Sequence, residues 1–459
     1  VAVVRRLAEL GTGTAGAGTG QPPSRLARRL LPLLATAALL AIGMLSTTWW
    51  GPALAGKTAW ALPDDLWGTL AAADRLLHLH LGGLYTRPTG LVTLPGAVVI
   101  LLPVVAVSDA AGLSLAVQTA HNPQPALWLF AGPYQVALSA VALFAADALA
   151  EHLGISWYRR AVLAAAEAVA LWSVSVRWGH PEDAMAVGLL CYAILALASA
   201  RPRLAAWLAG AAIAIQPLVL LALPVLVMAI APRRLPGFLA RAAAPAAVAL
   251  GAAAAANWDA TYAAVTSQPN FPAINHATPW AALSPQLPGG AIAAGPARIV
   301  AIVVACGCAL VAGRRWHAAR AAEPHPARPA EPHPARPAEP HAALGGGPHT
   351  ARAVQWNRQM LRAVLWWVAF ALALRCAFEP VVVAYYMWPA VAVALVVASG
   401  TWSGLIQAAL AATVLTFVSQ GAWHGIWTWW APMTALLAVT LLCARIPLPV
   451  RRPAAATDG

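Results

Sequence analysis

Long apolar stretches separated by short polar connectors run from one end of the chain to the other. Segments at 31–47, 91–107, 126–149, 161–176, 184–200, 204–231, 238–256, 297–312, 361–377, 383–399, 404–420 and 430–444 approach the roughly 20 apolar residues that carry an α-helix across a bilayer. Inside hydrocarbon every backbone N–H and C=O must be satisfied within the segment, so this pattern predicts an all-α fold: a polytopic transmembrane helical bundle of about 12 spans. Segment 204–231 is long for one helix. Gln216-Pro217 near its middle predicts a division there, because proline removes a rung of the hydrogen-bond ladder.

The pattern lapses in two places. Residues 1–30, whose first 24 are rich in Gly, Thr and Pro, read as a disordered cytoplasmic tail, and 447–459 as a second tail. Between them, 313–357 carries a tandem eight-residue unit, Ala-Glu-Pro-His-Pro-Ala-Arg-Pro, starting at Ala322. So much proline and so little apolar surface predict a disordered cytoplasmic loop. It divides a membrane module at 31–312, with outer loop 48–89, from C-terminal membrane helices at 358–446.

Composition agrees with a membrane protein. The chain is 60% hydrophobic and 10% charged, with mean hydropathy +0.68, against about 25% charged residues in a soluble domain. The net charge of +13 invites a nucleic-acid reading, which the arginine positions exclude. They form short clusters between apolar segments (Arg25/Arg28/Arg29, Arg159/Arg160, Arg201/Arg203, Arg233/Arg234, Arg314/Arg315, Arg451/Arg452), as the positive-inside rule writes topology. With the N-terminus inside, loop 48–89, the turn at 178–183, loop 257–296 and the Trp423-His424 loop fall outside. One parity conflict stands: two apolar segments separate loop 48–89 from Arg159/Arg160. Either 91–107 is re-entrant, helped by Pro95 and Pro103, or one span is not a span. Five cysteines lack zinc-like spacing, so they read as small core residues with no metal centre.

The polar residues assigned outside carry the candidate chemistry. Asp64 and Asp65 precede Leu66, Leu70, Ala73, Leu76 and Leu77 at helical spacing. They fit the acidic first turn of an interfacial helix, and equally a general base beside the bilayer. His180, Glu182 and Asp183 follow Arg177 between two apolar segments, where ionisable groups are costly unless paired or used. A salt-bridged helix start and a substrate contact both satisfy that. In loop 257–296, His276 lies among Asn, Thr, Pro and Trp, which suits a carbohydrate lid or an ordinary connector. Arg375 and Glu379 stand four apart at the outer end of a span, either as an i, i+4 pair or with the arginine holding a lipid phosphate. Asp147 and Glu167 fall within spans and must face the bundle interior, as a buried contact or a relay.

Asp65, followed eighteen to twenty residues later by Gly83-Leu84-Tyr85 and a proline-containing apolar segment, resembles the GT-C integral-membrane glycosyltransferases. The resemblance is nearest to the actinobacterial family 87 polyprenyl-phosphate-mannose-dependent mannosyltransferases. Gly179-His180-Pro181-Glu182-Asp183, Ala205-Ala206-Trp207-Leu208-Ala209-Gly210 and Gln216-Pro217 look like that family's central region, although members often carry Lys-Pro where this chain has Gln216-Pro217. The resemblance covers about 40–230. It implies an enzyme of the cell membrane whose site faces the periplasmic or extracellular side. That enzyme would move a sugar, mannose by the resemblance, with inversion, from a polyprenyl-phosphate donor to a lipid-linked or glycan acceptor. Asp65 or Asp64 would be the base, Arg375, His180 or His276 would stabilise the leaving phosphate, and no cofactor would be needed. A transporter or flippase using Asp147, Glu167 and the break at Gln216-Pro217 is the rival class, and a non-catalytic envelope scaffold the third.

Overall fold

The computed structural model describes residues 29–50, 59–86, 91, 93–113, 115, 123–321, 356–421 and 425–445. Asp64, Trp50 and 315–321 are described by their backbone alone. Both tails, nearly all of the repeat loop and Trp423-His424 lie outside the described residues.

The described chain is helical almost throughout. Eight helices are long and apolar enough to cross a membrane: Leu30–Trp49, Pro125–His152, Trp157–Trp178, Pro181–Ala198, Pro232–Ala256, Ala297–Arg314, Arg358–Phe378 and Ile426–Cys443. Four shorter apolar helices accompany them at Pro202–Ile215, Pro217–Met228, Ala384–Ala398 and Trp402–Val418. The chain is an all-α helical membrane protein. In order, the α-helices are α1 (Leu30–Leu45), α2 (Asp64–Leu77), α3 (Pro95–Val99), α4 (Leu102–Ala110), α5 (Pro125–His152), α6 (Trp157–Trp172), α7 (Pro181–Ala198), α8 (Pro202–Ile215), α9 (Leu223–Met228), α10 (Leu235–Ala256), α11 (Trp258–Ser267), α12 (Ala297–Ala321), α13 (Arg358–Phe378), α14 (Trp388–Ala398), α15 (Trp402–Val418) and α16 (Ile426–Cys443).

Many of these helices open on proline, as at Pro95, Pro125, Pro181 and Pro202. Its fixed φ suits the first turn, and its missing N–H would have lacked a partner there anyway. Helices α5, α7, α8 and α10 pack in succession, while α1 lies against α5 and α6 and α13 packs on α14. Small residues set these distances. A Cβ on Gly188 of α7 would come within 2.9 Å of the α5 backbone at Ala142, the close approach that drives helix association where lipid removes the hydrophobic incentive.

Segment 204–231 divides as expected. Gln216 is extended (φ −145°, ψ 111°), a 3₁₀ turn covers Pro217–Ala222, and α9 follows. Segment 91–107 is not one span: it forms α3 and α4, of five and nine residues. Pro95 and Pro103 each start a new helix there instead of interrupting one, and neither piece has the length to cross. The linker also begins later than composition suggested, because α12 continues to Ala321 and proline first appears at Pro324.

Asp147 is a structural contact. Arg160 donates to both its oxygens at 2.8 Å and Arg29 donates at 3.2 Å. Glu167 is buried, with its Oε1 lacking a hydrogen-bond partner. Cys191 and Cys376 are buried as expected, but Cys306 is exposed. Loop 257–296 is a folded cap. It carries α11, and strand β1 (His276–Ala277) pairs antiparallel with β2 (Val381–Val382). Thr278 and Trp280 donate to the carbonyls of Glu379 and Ala377 at 2.6 and 2.7 Å, fastening the cap to the end of α13.

Candidate functional site

The end of α6 creates the site. Its last turn widens to a π-helix over Ser173–Trp178 and stops at Gly179, which is left-handed (φ 72°, ψ 44°). Pro181 then starts α7, leaving His180 between two helix ends, its N–H on Val174 O at 2.9 Å. Gly179 does a second job. A Cβ there would stand 2.7 Å from Pro63 Cβ and 2.9 Å from Leu66 Cβ, so only glycine admits the start of α2 this close. Leu66, Leu70 and Ala73 bury the face of α2 that its periodicity indicated. Asp65, one residue before Leu66, is thereby delivered to His180.

The outcome is a three-membered chain. His180 Nε2 donates to Asp65 Oδ2 at 3.0 Å, and His180 Nδ1 donates to Glu182 Oε1 at 2.6 Å. Exposure falls steeply along it, from 49% for the Asp65 side chain to 12% for His180 and 3% for Glu182. The imidazole also stacks on Tyr385, centroids 4.1 Å apart. Burial alone would depress the His180 pKa. The Glu182 charge outweighs it, helped by the hydrogen bonds to Asp65 and Glu182, and holds the imidazolium well above its ordinary 6.5. Burial likewise pushes Asp65 upward, but the hydrogen bond and charge of His180 prevail and hold it below 3.8. The open end of the chain is therefore a carboxylate and its middle a cation.

A cavity of 440 Å³ lies on the other side of Gln216 and Arg375. Its walls are mostly apolar, from Leu218, Leu220, Leu221, Ile302 and Phe378, with Gln216, Gln268, Arg298, Arg375 and Glu379 among its polar groups. Leu220, Val265 and Ile302 line it and are also exposed on the surface. Gln216 Nε2 donates a short hydrogen bond to Asp183 Oδ1, while Asp183 Oδ2 is buried without a partner. The Arg375 guanidinium lies 3.5 Å over the Tyr386 ring, and its Nη1 too is buried without a hydrogen-bond partner. Tyr385 lies within electrostatic reach of Asp65, Asp183 and Arg375 together. The carboxylate chain and the cationic wall of the cavity are thus adjoining parts of one region.

Of the candidate residues, Asp65, His180, Glu182, Asp183 and Arg375 come together. Asp64 opens α2, with its side chain outside the described residues. His276 sits on β1 and stacks flat on Trp429, centroids 3.9 Å apart. The Arg375–Glu379 pair does not form. Helix α13 ends at Phe378, so Glu379 is extended (φ −77°, ψ 139°) and turns to Arg298, whose Nε donates to both carboxylate oxygens at 3.0 Å. Arg298 also donates to Gln268. Sequence reasoning missed Arg298; an arginine at the end of an apolar segment that the arginine clusters assign outside, against positive-inside patterning, was the available signal. It also missed the structural use of Gly83, whose carbonyl accepts from Arg75, while Tyr85 turns to the cavity and donates to Thr93 O at 3.1 Å. Among the described residues no three His, Cys, Asp or Glu side chains converge as a metal site.

Three outcomes are expected here. Gly179→Ala adds a strained positive φ and a clash with Pro63 and Leu66, costing about 2–4 kcal/mol and parting Asp65 from His180; the unfolding temperature should fall. Glu379→Gln weakens the Arg298 fork. Since Arg298 is 30% exposed, the cost is set at about 1–3 kcal/mol, seen as a lower Tm and faster proteolysis in loop 257–296. The pH profile follows by linkage. The stabilisation from Asp65 is present above pH 3.8 and lost as pH falls through its depressed pKa. That from His180 is present in full below pH 6.5 and lost as pH rises through its raised pKa. Stability in a pH-scanned melt should therefore hold between these limits and extend beyond pH 6.5, with His180→Ala removing the alkaline decline.

Compared with known proteins, the chain matches no family model, no curated protein and no solved structure.

Proposed function

We propose that the protein is a membrane glycosyltransferase that moves a sugar, with inversion, from a polyprenyl-phosphate donor to a hydroxyl of a lipid-linked or envelope glycan acceptor at the outer face of the cell membrane. The observation that supports this best is a half-exposed Asp65, its carboxylate form favoured by His180, beside an apolar cavity with a cationic wall. An amphiphilic phosphate-linked donor needs both surfaces: hydrocarbon contact for its chain and guanidinium groups for its phosphate. Mannose is the sugar that the sequence resemblance suggests.

In the reaction, the acceptor oxygen attacks the anomeric carbon as the bond from that carbon to the phosphate oxygen breaks. The electron pair leaves with the polyprenyl phosphate, and Asp65 takes the acceptor proton. Glycosyl transfer passes through an oxocarbenium-like state, in which the attacking hydroxyl becomes strongly acidic as its bond forms. A low-pKa carboxylate therefore suffices as base. Arg375, with one nitrogen unpaired, is the nearer group for the departing phosphate charge, and Arg298 the second. His180 and Glu182 are positioning residues, holding Asp65 from behind. The transport reading loses Asp147, which is committed to Arg160 and Arg29.

The stereochemistry of the product tests this reading. With purified protein, a defined polyprenyl-phosphate sugar and NMR of the isolated product, one displacement inverts the anomeric centre. Retained configuration would overturn the mechanism.

A further inference from the structure

At the end of the bundle opposite Asp65, three arginines from two helices cover two helix turns: Arg159 and Arg362 the α14–α15 turn, and Arg358 the α5–α6 turn. Arg159 lies in the first turn of α6, whose span Trp157–Trp178 separates it from His180 by about 30 Å of helix. Its Nη1 donates to Ser399 O at 3.0 Å and Gly400 O at 2.5 Å. Arg362 packs on the same turn, so closely that a Cβ on Gly400 would stand 2.9 Å from its Cζ. Arg358 lies over the α5–α6 turn, where a Cβ on Gly154 would come within 2.6 Å of its Cζ.

This arrangement is electrostatically unfavourable as it stands. The charges of Arg159 and Arg358 both act on Arg362. Arg358 and Arg362 occupy the beginning of α13, which has no acidic residue in its first turn, so the positive end of the helix dipole adds to the repulsion. Among the described residues no carboxylate pairs with any of the three. The nearby acids Asp147 and Glu151 are taken by Arg29 and Arg160. The Arg362 Nε is buried and has no hydrogen-bond partner. Three cations, a helix N-terminus and an unused buried donor form a cradle for an anion. The aromatic neighbours indicate its depth: Tyr158, beside Arg159, and Trp402, two residues after Gly400, are 54% and 50% exposed. Such side chains sit at the level of lipid headgroups.

We propose that Arg159, Arg358 and Arg362 form a binding site for a phosphate group at the membrane surface opposite Asp65. The ligand chemistry is a phosphate ester or inorganic phosphate, and the aromatic belt makes an anionic phospholipid headgroup its natural source. The site is independent of the sugar-transfer reading, so either stands if the other fails.

The test uses the full chain in neutral detergent, with thermal melts against mixed micelles of phosphatidylglycerol, matched micelles of phosphatidylcholine, and inorganic phosphate. Phosphatidylglycerol should raise the wild-type Tm by several degrees more than phosphatidylcholine. Arg358→Gln/Arg362→Gln should lose that difference and bind about tenfold or more weakly, while Arg203→Gln, at an exposed arginine outside the cluster, should keep it. Inorganic phosphate reproducing the shift would assign the site to free phosphate. A shift with phosphatidylglycerol alone would assign it to the headgroup. Because Arg358 is exposed, Arg358→Gln alone serves if the double variant does not elute as a single species. Equal shifts with both lipids and none with phosphate, or an undiminished response in the Arg358 variant, would overturn the proposal.

Discussion

Asp65→Asn is expected to abolish sugar transfer while the protein still folds. The amide keeps the size of the carboxylate and leaves an oxygen to accept from His180 Nε2, so packing on α2 is preserved. What is lost is basicity. A positioned base contributes about 10²–10⁴ in rate, so the loss should reach about a thousandfold, with elution and Tm close to wild type. Asp64→Asn is the matched control. The sequence alone left Asp64 and Asp65 equivalent, but the contact with His180 belongs to Asp65, so the neighbour's substitution should change the rate by no more than a few fold. The readout is transfer per folded protein, measured for all three proteins together.

The second large effect is expected from His180→Ala. Glu182 is 3% exposed and has its charge compensated by the imidazolium. Removing one partner of a buried ion pair costs about 3–5 kcal/mol, because the other charge stays behind in a poor solvent. The Asp65 side of the contact adds little stability, since half of that side chain faces water. Activity should fall about a hundredfold, because the base is still present but no longer held. Addition of Glu182→Gln separates the two roles. The double variant removes the stranded charge and should recover much of the Tm of His180→Ala, while its transfer rate stays low. A rate that recovers together with Tm would mean that His180 serves folding alone.

Much of this arrangement was legible in the sequence, and the failures have identifiable causes. The amphipathic face of α2, the break at Gln216-Pro217 and the polar clusters at 64–65 and 180–183 are local signals, carried by periodicity, proline and charge. The joining of those two clusters is not local. Asp65 and His180 lie 115 residues apart, and their meeting depends on Gly179 admitting Pro63 and Leu66, for which a lone glycine gives no notice. Arg375 and Glu379 read as a helical pair because their spacing is right. The helix stops one residue too early, and a better-placed guanidinium arrives from α12. Segment 91–107 read as a span because hydropathy counts apolar residues regardless of where proline restarts the helix. The arginine clusters, Arg159 among them, carry a topology signal in the sequence. That Arg362 joins Arg159 at Gly400, with Arg358 beside them over Gly154, depends on how α13 packs against the α14–α15 and α5–α6 turns.

In the proposed reaction, Asp65 deprotonates an acceptor during transfer from a polyprenyl-phosphate sugar. The most direct test is transfer of label from polyprenyl-phosphate-[³H]mannose to membrane-lipid extract by purified wild type and Asp65→Asn, both folded and monodisperse. Wild type is expected to give a labelled product and Asp65→Asn none. Equal transfer by the two proteins, or none by wild type with any polyprenyl-phosphate sugar supplied, would contradict it.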